Sequence, residues 1–289
     1  MDRLMYREKR CTDTMAIYSL SVSIISGNKG QSVVAHVAYQ SGERIYDEMD
    51  GKTKNYSRKE RVVLTGIAIP EHAPGWALNR EKLWNEVEKK EGIHGQYARN
   101  WMIALPNELN VNQQEKLVRV FTQDTFAKRG MVADWAIHKA EPGNSKNDHV
   151  HITTTLRPFK EDGSWDQKSR SIMIHDENNK PICMGRDKKG RKYYKQRKCF
   201  LTDWNKKETL LAIRKEWAII CNRFLADAGI NARIDERSYK ERGIDKLSQV
   251  HLGYAATAME RRGEKTRLGD INRAIVSRNA EHMKNRKEI

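Results

Sequence analysis

His149-Val150-His151 is the segment of this sequence best equipped for chemistry. Alternate residues of a strand share a face, so the two imidazoles stand about 7 Å apart on one side while Val150 and Ile152 turn to the other. The preceding β-like stretch puts Asp134, Ala136 and His138 on one face and Ala133, Trp135 and Ile137 on the other. If the two strands pair, His138, His149 and His151 converge. Three neutral histidines leave coordination positions open, as a catalytic metal site requires. Imidazole donors favour Zn, Mn, Fe, Co or Ni over Mg or Ca. Asp134, one residue pair away, is placed to orient an imidazole. Read from pattern alone, the same histidines also suit an ordinary polar surface.

A second candidate is Tyr39. In a helix spanning 31–45, Val34, Val37, Ala38, Ser41 and Ile45 form one apolar stripe, and Tyr39 falls off it beside Ala35, His36 and Glu43. A phenol there is either an interfacial aromatic or a nucleophile. Its ordinary pKa near 10 means that it needs help to attack anything at neutral pH.

These residues need elements to hold them. Strands are expected over about 16–25, 62–69, 97–105, 132–139 and 149–157, with Pro70 and Pro106 as stops. Helices are expected over 31–45, 77–91, 112–127 (apolar stripe Leu117, Val120, Phe121) and 206–227, with Gly130 and Gly229 past two of their ends. The mixed order predicts an α+β fold, a five-stranded antiparallel central sheet covered by helices, with a helical C-terminal extension. Residues 1–14 read as a leader, 15–235 as the main domain with a basic insertion at about 159–200, and 236–289 as the charged extension. Within the insertion, 186–198 reads as a basic hairpin or a solvated linker. If it tracks a polyanion, Lys188, Lys189, Arg191 and Lys192 meet phosphates and Tyr193 and Tyr194 stack on bases.

Composition agrees with such a partner. Lys plus Arg number 54 against 38 acids, a net charge of +16, which favours nucleic acid over an anionic membrane surface. No apolar run is long enough to span a bilayer, so no membrane insertion is expected. Cys11, Cys183, Cys199 and Cys221 are scattered, which fits a reducing cytoplasm. No P-loop is present.

Taken together, Met15-Ala16-Ile17-Tyr18, Gly30-Gln31-Ser32-Val33, Ala38-Tyr39-Gln40-Ser41-Gly42, Leu83-Trp84-Asn85 with Glu88, Ala98-Arg99 followed by Ala104-Leu105-Pro106-Asn107-Glu108-Leu109, Gly130-Met131-Val132-Ala133-Asp134 with Ile137-His138, and His149-Val150-His151 followed by Arg157 resemble the MobA/MobL (MobQ-class) plasmid relaxases. Ile234 to Tyr239, Gly243-Ile244-Asp245 and His251-Leu252-Gly253 resemble longer members. The resemblance implies an HUH endonuclease in which Tyr39 attacks a phosphodiester at a plasmid transfer origin, forming a covalent 5′-phosphotyrosine that can be rejoined. It further implies that His138, His149 and His151 hold a divalent ion, Mn or Mg in use with Zn, Co or Ni as alternatives. Its implied partners are single-stranded and hairpin origin DNA, a conjugation coupling protein and accessory relaxosome proteins, in the cytoplasm or in transit with DNA through a secretion channel. Arg44, Arg99 and Arg157 are expected among the DNA contacts. Asn100 departs from the glutamate common after Ala-Arg in the family, so Asp134 becomes the candidate for proton handling. Two alternatives share parts of this pattern: a rolling-circle replication initiator and a non-catalytic nucleic-acid-binding module.

Overall fold

The computed structural model describes residues 14–140 and 148–285. Residues 1–13 of the expected leader and the loop 141–147 lie outside them. The chain divides between Asp235 and Glu236 into two compact units.

The first unit is organised by strands whose apolar residues alternate with small or polar ones. In chain order its main elements are β1 (Leu20–Ser26), α1 (Val33–Ser41), β2 (Arg44–Asp47), β3 (Lys52–Asn55), β4 (Val62–Ala68), α2 (Arg80–Glu91), β5 (Gln96–Ala104), α3 (Val111–Phe121), β6 (Ala133–His138) and β7 (His149–Thr155). The hairpin strands β8 (Ser169–Met173), β9 (Cys183–Arg186), β10 (Lys192–Tyr194) and β11 (Gln196–Phe200) follow, and then α4 (Lys207–Asp227). Five strands form one antiparallel sheet in the order β1-β5-β7-β6-β4, the α+β architecture that the pattern predicts.

Strand parity divides the core in two. Trp101, Ile103, Trp135, Ile137, Val150 and Ile152 pack with Leu117, Phe121, Ile213 and Trp217 under α3 and α4. The opposite face carries Ile25 and Ala98, packed with Val33, Val34, Val37, Ala38, Leu83, Trp84 and Val87 of α1 and α2. Every residue of β6 is buried, because a central strand is covered on both faces.

α1 is shorter than the expected 31–45. Gly42 takes a left-handed φ of 68° and closes the helix after Ser41, a conformation that glycine adopts without a Cβ penalty. Ile45 is therefore buried in the β2–β3 hairpin and not on a helical stripe. On α3, Val118 takes the inward place expected of Val120. The 159–200 insertion is a long β-hairpin: β8 pairs with β11 and β9 with β10. Its distal turn is tied by Asp187, whose side chain accepts from the amides of Lys189 (2.8 Å) and Arg191 (2.9 Å). The second unit contains α5 (Gly253–Arg261) and α6 (Arg267–Asn285). Asn272 and Asn279 of α6 each hold an extended segment by a pair of hydrogen bonds, to Val250 and Leu247 respectively.

The start of α1 is fixed from a distance. Ser32 caps it, accepting from Ala35 N–H at 2.9 Å, and the buried Glu88 of α2 accepts from the amides of Val33 (2.6 Å) and Val34 (3.3 Å). Glu88→Ala leaves two buried N–H groups without an acceptor. It should cost about 2 kcal/mol or more, read as a lower urea midpoint with an unchanged denaturant slope.

Candidate metal centre and nucleophile

The three histidines meet because β6 and β7 pair in one register. His138 stands opposite His149 and Ala136 opposite His151. One candidate ligand nitrogen from each of the three lies within 4.8 Å of the other two. Ring centroids are 5.4 Å apart for His138–His149, 4.7 Å for His138–His151 and 5.0 Å for His149–His151. Burial holds the pKa of His138 down to about 4, against the pull of the Gln40 carbonyl. Burial, followed by the charges of His138, His149, His36 and Lys59, holds His151 down to about 2. Both imidazoles are neutral at pH 7, the form that ligates a metal. His138 Nε2 lies 2.6 Å from the Gln40 carbonyl oxygen. The tautomer that donates there leaves Nδ1 with its lone pair free, the arrangement usual for metal-ligating histidines. The donor set thus fits a divalent ion.

Gln40 was not singled out in the sequence, and it joins the helix to the centre. Only 2% exposed, its side-chain NH₂ donates to the carbonyls of Asp134 (3.1 Å) and His151 (3.3 Å), and its Oε1 accepts from Thr153 Oγ1 at 2.6 Å. A glutamine among Val33, Val37 and Ser41 on the buried side of a helix was the available signal. The next residue toward the N-terminus is Tyr39, 52% exposed. Its ring meets Tyr56 edge-on at 5.3 Å between centroids, and Lys59 Nζ lies 3.6 Å from its centroid. Nothing local in the sequence marked Lys59. His36, one helical turn before Tyr39, has its pKa lowered by burial, with Asn100 beside it. His36 Nε2, Asn100 Oδ1 and His151 Nδ1 are buried with no protein partner.

Other expected residues are placed differently. Asp134 shares the histidine face, but its carboxylate is gripped by Arg80 (Nε at 3.0 and 2.8 Å, Nη2 at 2.8 Å) and by Trp84 Nε1 at 2.8 Å. It orients no imidazole, because a guanidinium and an indole on α2 reach it first. Arg157 is bound to Glu91 (Nε–Oε1 2.7 Å) and to the Asp166 carbonyl, so it is a structural ion pair. Arg99 is 8% exposed, bonded to Asn205, and lines a cleft of about 450 Å³ with Lys29, Gln31 and His36. Arg44 is exposed on β2. Lys188, Lys189, Arg191, Lys192 and Tyr193 are exposed at the far end of the long hairpin, and Tyr194 is half-buried.

A five-stranded antiparallel sheet covered by helices, with a His-Val-His strand beside a third histidine, defines an HUH-type fold. The chain belongs to the MobA/MobL family, whose model matches residues 31–262. It is 34% identical over 272 residues to the probable mobilization protein MobA of Bifidobacterium longum, covering 90% of this chain and 47% of that one. It is 36% identical over 262 residues to the conjugal transfer protein TraA of Agrobacterium fabrum, covering 87% of this chain and 22% of that one. The chain thus spans about half or less of these relatives. A chain solved for the molecular basis of vancomycin resistance transfer in Staphylococcus aureus is 29% identical and superimposes with a TM-score of 0.63, over 78% of this chain and all of that one.

Unfolded histidines take up protons near pH 6.5, whereas the folded His138 and His151 do so only near 4 and 2. The unfolded state therefore binds more protons below pH 6.5, and this contribution to stability falls as pH drops through that value. Urea midpoints of the metal-free protein should decline from pH 7 to 5. His151→Asn should flatten the decline; equal slopes in the two proteins would exclude the buried imidazole as its cause.

Proposed function

We propose that this chain nicks one strand of DNA at a plasmid transfer origin, with Tyr39 as the nucleophile. The observation that carries this reading is the half-exposed Tyr39 hydroxyl-bearing ring next in sequence to Gln40, which is fastened to the backbone of both histidine strands. Oη of Tyr39 attacks phosphorus; the Oη–P bond forms and the P–O3′ bond breaks. The phenolic proton passes to solvent and the 3′-oxygen leaves as a hydroxyl. The phosphotyrosine keeps the ester, so the strand can be rejoined without ATP. His138, His149 and His151 would hold the divalent ion, Mn or Mg with Zn, Co or Ni as alternatives, which when bound offsets charge on a non-bridging phosphate oxygen. Asp134 acts through structure, keeping β6 against α2 by way of Arg80 and Trp84.

The DNA contacts belong to the exposed cations. Lys188, Lys189, Arg191 and Lys192 follow backbone phosphates and Tyr193 offers a stacking face, which suits a hairpin beside the nick. Arg44 extends the same field. The coupling protein and accessory relaxosome proteins are the partners that transfer would require. Among the described residues no helix is long and apolar enough to cross a membrane.

The test is incubation of the chain with a labelled single-stranded oligonucleotide of the transfer origin and Mn²⁺, followed by denaturing electrophoresis. A protein-linked label should form, vanish in Tyr39→Phe with origin binding kept, and require the metal. Alanine at His138, His149 or His151 should weaken metal affinity by at least about 10–100-fold, the loss typical of merely supporting groups. A normal adduct in Tyr39→Phe would sink the assignment.

Binding of the same oligonucleotide should fall steeply with salt, by a log–log slope of roughly −0.7 per phosphate contacted. Replacing Lys188, Lys189, Arg191 and Lys192 together by alanine should make that slope shallower. An unchanged slope would remove the hairpin from the interface.

A further inference from the structure

The loop between β3 and β4 has no role in the site described so far, yet two of its side chains close on Tyr39. Tyr56 N–H donates to the Glu43 carbonyl at 3.1 Å, and Lys59 N–H to the Tyr56 carbonyl at 3.0 Å. This turn aims both residues at the end of α1. Lys59 Nζ then lies 3.6 Å from the Tyr39 ring centroid and donates to the Tyr39 carbonyl at 3.0 Å. The carbonyl takes one of three ammonium protons and leaves two.

Among the described residues no carboxylate pairs with this ammonium. The acids nearby are taken: Arg80 binds both Glu43 and Asp134. Burial lowers the pKa of Lys59 to about 8, so it is still largely charged at neutral pH. Its charge is felt at His36, His138 and His151, where it opposes protonation. A partly buried cation beside imidazoles suited to hold a second cation is electrostatically incomplete without an anion.

We infer that Lys59 is a catalytic residue that binds a phosphodiester oxygen of the DNA strand beside Tyr39. This rests on the nicking activity proposed above. The ammonium and the histidine centre would share the charge of one phosphate, Lys59 acting at the nucleophile's ring and the centre at the strands beneath it. The contact to the Tyr39 carbonyl also fixes the end of the helix, so binding the phosphate and aiming the nucleophile are done by one side chain.

The test replaces Tyr39 by 4-fluorophenylalanine in the full chain, which removes the hydroxyl and sets a fluorine reporter in its place. The dinucleotide TpT, with a single phosphodiester, is titrated without metal and followed by fluorine NMR. Removing a charge-assisted contact should weaken TpT by about tenfold or more in Lys59→Met. Lys59→Gln, which keeps a donor for the Tyr39 carbonyl, should lose as much, and Lys59→Arg should bind within about threefold of the parent. Equal affinities in the Gln variant and the parent, or no fluorine shift with TpT, would overturn the inference. A Lys59-dependent TpT site in the fluorinated chain, with no adduct on origin DNA from the chain that keeps Tyr39, would support the phosphate site and remove the nicking proposal alone.

Discussion

The carboxamide of Gln40 is the contact on which the arrangement of the site depends. It is buried between α1 and the sheet and uses donor and acceptor together, spanning the Asp134 carbonyl on β6 and the His151 carbonyl and Thr153 hydroxyl on β7. Its own backbone carbonyl meets His138. One residue thereby sets the height of α1 above two strands, the tautomer of one imidazole and, through the adjacent peptide, the position of Tyr39. A buried amide that lost these partners would leave several polar groups unsatisfied, each costing about 1–3 kcal/mol. The helix has little freedom to drift.

Charge around that contact is sorted with equal care. The chain carries +16, and the acids near the sheet are nonetheless paired off. Asp134 belongs to Arg80 and Trp84, Glu91 to Arg157 and Lys168, and Asp148 to Lys139. What remains toward Tyr39 is neutral imidazole and one ammonium. Such a surface suits the phosphodiester proposed as substrate, whereas a free carboxylate there would oppose that anion and compete for a metal ion at the histidines.

The period of the strands made much of this legible. Two-residue alternation put His138, His149 and His151 on one face, and pairing of adjacent strands did the rest; that face is the one α1 covers. Helix ends were less legible, since Gly42 followed by a hairpin looks locally like a helix running to Ile45. Asp134, Arg99 and Arg157 share one feature that face, charge and resemblance did not reveal: each is held by a residue distant in sequence, Arg80 at 54 positions, Asn205 at 106 and Glu91 at 66. Lys59 went unnoticed for the converse reason. A lysine in a polar loop carries no periodic signal, and only the fold brings it over a tyrosine twenty residues away.

Asn100 makes sense within the same electrostatics. It lies on β5 between Ser23 of β1 and Thr153 of β7, on the face toward α1, and its neighbour there is His36. A carboxylate at this position would draw a proton onto a desolvated imidazole and turn a neutral pair into an ion pair. An amide carries no charge to draw a proton onto the ring, so burial decides and His36 stays neutral. With Asp134 tied to Arg80, neither position offers a free base to the phenol. In the nicking reaction proposed above, deprotonation of Tyr39 would be left to solvent, and the positive field of Lys59 and of an ion held by the histidines would favour the phenolate by stabilising its charge rather than by accepting its proton.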